Sequence, residues 1–196
     1  MFINKTFKSK NNNKISLNIF NNKGGVFTIN NYSKNLSSNN YGWIFLRNKK
    51  KYTNFHFSRR WKTKIDNNSI EIKGSLFQKY ELESSPLRHF ILRLFSFLNI
   101  NLFPFLRKIM IFKNGVKDVI FTRKIKFDEY QIVIHDQFLG NIKNCEIKKN
   151  RGFDVRHTAS GSNFEIQNSI KFHSDTKIIS NNENEINAKT TYFLNE

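Results

Sequence analysis

Cysteine is nearly absent: Cys145 is the one thiol in 196 residues. A lone thiol excludes a disulfide framework within the chain and any metal site built from several cysteines. Two prolines and eight glycines exclude collagen-like and Pro/Gly-rich disordered chains. Acid is also scarce, with 15 Asp+Glu against 33 Lys+Arg and a formal net charge of +18. The N-terminus, MFINKTFKSKNNNK, has lysines but no apolar core of signal-peptide length, and no segment reads as a membrane span of ~20 mostly apolar residues. Together these absences predict a cytoplasmic protein in a reducing compartment. Gly24-Gly25 has the spacing of neither a phosphate loop nor a dinucleotide fingerprint and reads as a turn. The five histidines, 56, 89, 135, 157 and 173, never fall at metal-ligand spacings such as H-x3-H, so neither a metal nor a cofactor is expected.

What is abundant is phenylalanine (21) and asparagine (29). So many apolar rings exclude a solvated tail, and the length allows one large domain or two small ones, with a core of ordinary size. Asn, Lys, Ile and Phe all have A/T-rich codons, which accounts for part of the charge but not for the shortage of Asp and Glu. The remaining basic excess favours a polyanionic partner: nucleic acid, an acidic glycan or an anionic membrane surface.

Most of the chain alternates in period two, the mark of half-buried strands. Residues 15–20, 26–30, 43–47 and 52–58 are short apolar runs between Asn, Gly and Ser clusters, whose residues tolerate turn conformations. A pattern then occurs twice, at Lys64–Lys73 and at Lys126–His135. In each, an apolar residue enters an Asp-led turn and an Ile-x-Ile strand leaves it, predicting hairpins that turn at Asp66–Asn68 and Asp128–Glu129. The pattern breaks between Pro86 and Phe112. There, Ser84 or Ser85 as cap and Pro86 at a first helical position predict a helix within 86–98, with Phe90, Leu94 and Phe97 buried. Strands resume after Gly115. The expected fold is mainly β, an antiparallel sandwich or stacked curved sheets with one helical insertion at about 86–112. The expected organisation is a flexible basic N-terminus (1–14), one β-rich domain (15–180) and a polar tail (181–196).

Two constellations suit a binding role. Ser58-Arg59-Arg60-Trp61-Lys62 joins two guanidinium groups, which fork onto carboxylate, sulfate or phosphate, to an indole that stacks on sugars or bases. The alternative is an exposed edge strand with Trp61 turned into the core. In Arg151–Ser162, alternation places Phe153, Val155 and His157 on one face and Asp154, Arg156 and Thr158 on the other, so Arg156 and Asp154 also read as an exposed ion pair.

The ordered segments GGVFTI, YGWIF, FSRRW, SIEIKGSLFQ, SPLRHFILRLF, FTRKIKFDEYQIVIHDQF and RHTASGSNFEIQ, spanning Gly24 to Gln167, resemble the C-terminal β-rich part of heparinase II/III-like proteins of bacterial surface-polysaccharide gene clusters. The resemblance implies stacked antiparallel sheets that normally follow an α/α toroid, and no toroid precedes them here. The family's catalytic Tyr and His come largely from the toroid, so none is carried to a numbered position. Within a matching motif, His157 is a candidate site residue and Arg156 a candidate for positioning an acidic sugar. The expectation is a split, truncated or stand-alone domain, non-catalytic or accessory, with polysaccharide lyase-like chemistry as the alternative. It would bind acidic polysaccharide through Arg59, Arg60, Trp61, Arg156 and His157, with a separately encoded toroid as partner. Two alternatives stand: a basic nucleic-acid or ribosome-associated protein, and a peripheral membrane protein attached through 86–112, a segment that reads better as a helix covering a sheet.

Overall fold

The computed structural model describes residues 3–11, 13–78, 90, 93, 115–150 and 171–194. The first sheet runs in chain order: β1 (Ile3–Lys8), β2 (Lys14–Phe20), β3 (Val26–Asn31) and β4 (Leu36–Asn40), each antiparallel to its neighbour. Strict alternation buries Ile15, Leu17 and Ile19 of β2 on one face, as period two requires. The turns use the residues their backbone needs. Gly24 and Gly25 follow a 3-10 turn at φ +62° and +74°. After β3, the Asn31 side-chain carbonyl accepts from the amides of Ser33 and Lys34, and Asn35 takes the left-handed conformation.

The second sheet has nine strands: β5 (Trp43–Arg47), β6 (Lys50–Thr53), β7 (Lys62–Ile65), β8 (Ser69–Gln78), β9 (Gly115–Phe127), β10 (Gln131–Gly140), β11 (Glu146–Lys149), β12 (Ser174–Asn181) and β13 (Glu185–Phe193). Their order is β11-β5-β6-β8-β9-β10-β13-β12, with β7 also pairing β8. The sheet curls into a half-barrel. Its terminal strands approach closely enough for Lys149 Nζ on β11 to donate to Thr176 Oγ1 on β12 at 3.0 Å. The first sheet packs into this curl, and Phe27 and Ile29 share one core with Phe45, Phe121, Ile125, Ile134 and Phe138. Such a mainly β fold of stacked, curved antiparallel sheets is what the alternation in the sequence predicts.

Both Asp-led hairpins form. Asp66 N donates to Ser69 O at 2.8 Å, closing the β7–β8 turn. In the β9–β10 turn the Asp128 carboxylate accepts from the amides of Tyr130 and Gln131, both at 2.8 Å. Ile70 and Ile72 share a buried face, as do Ile132 and Ile134.

The structure differs from the sequence reading at both ends. Residues 3–8, inside the segment expected to be flexible, form β1, because Ile3 enters the core and Phe7 stacks on Phe127 with ring centroids 5.6 Å apart. Lys10 N also donates to Glu129 O of the β9–β10 turn. At the other end, β13 lies within the stretch assigned to a polar tail. Its short alternation, Ile186, Ala188, Thr190 and Tyr192, is buried, and it pairs with β10 on one side and β12 on the other. Only its end, Thr191–Leu194, reads as a strand in the sequence, because the inward Ala188 and Thr190 give the rest a weak apolar signature. The helical insertion lies outside the described residues apart from Phe90 and Arg93, both helical. Phe90, expected to be buried, is 64% exposed.

Candidate polyanion-binding face

Because side chains alternate across a strand, the residues between the core positions of β7–β10, β12 and β13 all reach the outer face of the half-barrel. Register lines them up. One row crosses six strands: Lys64 on β7, Glu71 on β8, Lys124 on β9, His135 on β10, Lys189 on β13 and Lys177 on β12. With neighbouring strands ~4.8 Å apart, the row is roughly 24 Å long. A second row carries Lys62, Lys73, Thr122, Gln137 and Asn187, and a third carries Ser69, Lys126, Val133 and Thr191.

Two cross-strand pairs on this face, Lys62–Lys73 and Lys177–Lys189, place like charges directly opposite each other, an arrangement that costs stability unless a counter-charge intervenes. Within the rows Glu71 stands opposite both Lys64 and Lys124, and Asp175, opposite Thr191, pairs with Lys177. The ion pairs among the described residues are Arg47–Asp118, Arg123–Asp136, Lys143–Glu183, Lys148–Glu146 and Lys177–Asp175. Of the lysines in the three rows only Lys177 therefore has a carboxylate partner among the described residues. His135 records the resulting field. Burial, and then Lys189, Lys126 and Lys124 in turn, hold its imidazole below the ordinary histidine value, against the opposing pull of Asp136.

Directly beneath this row lies a buried charge cluster. Arg123 and Asp136, next in chain to Lys124 and His135, point inward and are 0% and 2% exposed. Arg123 Nε and NH2 donate to the two Asp136 oxygens at 2.7 and 2.8 Å, and Trp43 Nε1 donates to Asp136 Oδ2. Arg123 NH1 donates to Gly25 O at 3.0 Å and Asn40 Oδ1 at 3.1 Å, and Asn40 Nδ2 donates to the Tyr192 hydroxyl at 3.1 Å. Burial raises the Tyr192 phenol above its ordinary value although that bond opposes the shift. A Cβ at Gly25 would lie 2.9 Å from both Arg123 Cδ and Ile72 Cδ1, so glycine is required for the close approach of the two sheets. A one-residue slip of β9 on β10 would break this cluster and turn the lysine row inward. The buried pair thus holds the register that keeps the basic row outside.

Of the residues singled out in the sequence, Arg59 and Arg60 are exposed in the turn that enters β7, with Arg60 N donating to Ser58 Oγ at 3.1 Å. They lead directly to Lys62 and Lys64 at the edge of the basic face. Trp61 takes the core reading. It is 7% exposed, packs near Phe77 and Phe121, and donates from Nε1 to His56 O at 3.1 Å. Arg156 and His157 lie outside the described residues. The rows and the buried pair were missed, although both left a signal. Arg123 interrupts Phe121-x-x-x-Ile125, and Asp136 interrupts Ile134-x-x-x-Phe138, each on the apolar face of its strand.

Among the described residues no three His, Cys, Asp or Glu side chains gather as metal ligands do, and no helix is long and apolar enough to cross a membrane. No known protein-family model matches the chain, and no curated protein or solved structure matches it either.

Proposed function

We propose that the chain is a non-catalytic accessory β-domain of a heparinase II/III-like polysaccharide-processing protein, and that it holds acidic polysaccharide on the outer face of its half-barrel. The observation that carries the reading is the set of lysines in cross-strand register, with like charges opposed at Lys62–Lys73 and Lys177–Lys189 and only Lys177 in an ion pair among the described residues. A bound polyanion supplies the missing counter-charge. The ordered motifs from Gly24 to Gln167 support a glycan as that polyanion. So does the chemistry of the face. Lys, Thr, Gln, Asn and His dominate its rows, and Phe193, at the rim, already packs at a tilt against His173. Single-stranded nucleic acid is held by successive aromatic platforms, which these rows lack among the described residues.

The test is retention on immobilised heparin over a salt gradient. Screening lengths shorten to ~8 Å at physiological ionic strength, so binding should weaken steadily as salt rises. Lys124→Glu with Lys189→Glu should elute at clearly lower salt with an unchanged thermal midpoint. Co-elution with wild type would remove this face from consideration. Tighter binding to RNA than to heparin would move the ligand class to nucleic acid.

A further inference from the structure

At the β7–β8 turn an open cavity of about 640 Å³ is lined by Ile65, Asp66, Asn67, Asn68, Ser69 and Lys126. Lys126 ties it to the basic face, standing opposite Ser69 and two residues beyond Lys124 on the same side of β9. The turn is held by its backbone: Asp66 N donates to Ser69 O at 2.8 Å and Phe127 N to Asn68 O at 3.2 Å. The amide side chains of Asn67 and Asn68 are therefore not needed to close it, and both residues are exposed. Asp66 Oδ2 accepts from Ser69 Oγ at 3.2 Å, which fixes the carboxylate at the wall. Ile65 is 51% exposed and supplies an apolar surface among these polar groups.

We propose that this cavity is a subsite for one acidic sugar unit, a inference that rests on the glycan reading above and assigns that glycan its point of recognition. Lys126 takes the carboxylate or sulfate, the amides of Asn67 and Asn68 and the Asp66 carboxylate take ring hydroxyls, and Ile65 meets the apolar face of the ring. Each role follows from the donor and acceptor inventory of the side chain. The site is an open depression on the turn, polar apart from Ile65, which suits a solvated ligand rather than an apolar one. The lysine rows respond to charge alone, whereas this cavity distinguishes a sugar from another polyanion of equal charge.

The experiment compares two probes on the full chain: a heparin tetrasaccharide, and a short inorganic polyphosphate that carries charge but no sugar ring. Asn67→Ala with Asn68→Ala should weaken tetrasaccharide binding about tenfold through lost hydrogen bonds and leave polyphosphate binding unchanged. Ile65→Ser, at a half-exposed position outside the core, should show the same selective loss. Equal affinity of wild type and both variants for the tetrasaccharide overturns the subsite, as does equal weakening towards both probes. Wild type binding polyphosphate but not the tetrasaccharide overturns the subsite and the glycan while leaving a polyanion face. Binding of neither probe overturns both readings together.

Discussion

Arg123–Asp136 and Arg47–Asp118 are both bidentate arginine–carboxylate pairs, yet burial gives them different energetic weight. Arg47 and Asp118 remain in contact with solvent, with side-chain exposures of 18% and 46%. The guanidinium holds the Asp118 carboxyl below its usual range, but solvent screens the pair, so Asp118→Asn should cost less than about 1 kcal/mol. Asp136→Asn leaves the buried Arg123 without its counter-charge and weakens the acceptor for Trp43, so it should cost about 3–5 kcal/mol. Urea unfolding of the two variants measures the contrast, and similar losses would show that the buried cluster does not hold the fold. His135 supplies a second residue-scale prediction. Its folded-state value is depressed, so its contribution to stability is present above the ordinary histidine value and is lost as pH falls through the lowered one. A polyanion laid over Lys124, Lys126 and Lys189 favours the imidazolium, so binding takes up a proton. Heparin affinity should rise from pH 7 to 5.5 in wild type and rise less in His135→Gln, as titrations at matched salt will read.

At the scale of elements, β12 is the exposed one. It pairs with β13 along one edge, and Ile178 and Ile179 are more than half exposed beside a register shift between Ile178 and Ser180. An edge strand with exposed apolar residues invites pairing with another chain, and a lysine is the usual guard. Ile179→Lys should lower concentration-dependent light scattering without shifting the thermal midpoint, whereas scattering equal to wild type would show that this edge is already guarded. The same scale explains what the sequence made legible. Both Asp-led hairpins could be read because an Asp turn and an Ile-x-Ile strand are local signals lying within ten residues. β1 could not, since it is ordered by contacts with the distant β9–β10 turn, and of β13 only the end at Thr191–Phe193 could, since Ala188 and Thr190 weaken the apolar pattern between Ile186 and Tyr192. The basic face needed pairing across six strands. Once the Lys126–His135 hairpin is drawn in register, though, Lys124, Lys126 and His135 already share one side. Trp61 kept two readings in the sequence because alternation does not say which face is inner. Gly74 on the neighbouring strand decides it, since a Cβ there would collide with the indole.

For the whole molecule, fold and function meet in one division of labour. The inner face of the half-barrel closes on the first sheet and buries Arg123 and Asp136, and the alternate residues of the same strands present a surface on which lysines outnumber acids. Lysines also occur elsewhere, as at Lys49–Lys51 where the β5–β6 turn enters β6 and on the first sheet, so net charge alone does not choose between surfaces. Amide chemical-shift mapping does. In a titration of the full chain with a heparin oligosaccharide at physiological salt, the largest shifts should fall on Lys64, Glu71, Lys124, His135, Lys189 and Lys177. Lys5, Thr28 and Asn39 on the first sheet should stay still. Shifts confined to the first sheet or to Lys49–Lys51, with the six-strand row unmoved, would contradict the assignment of the polyanion to the outer face.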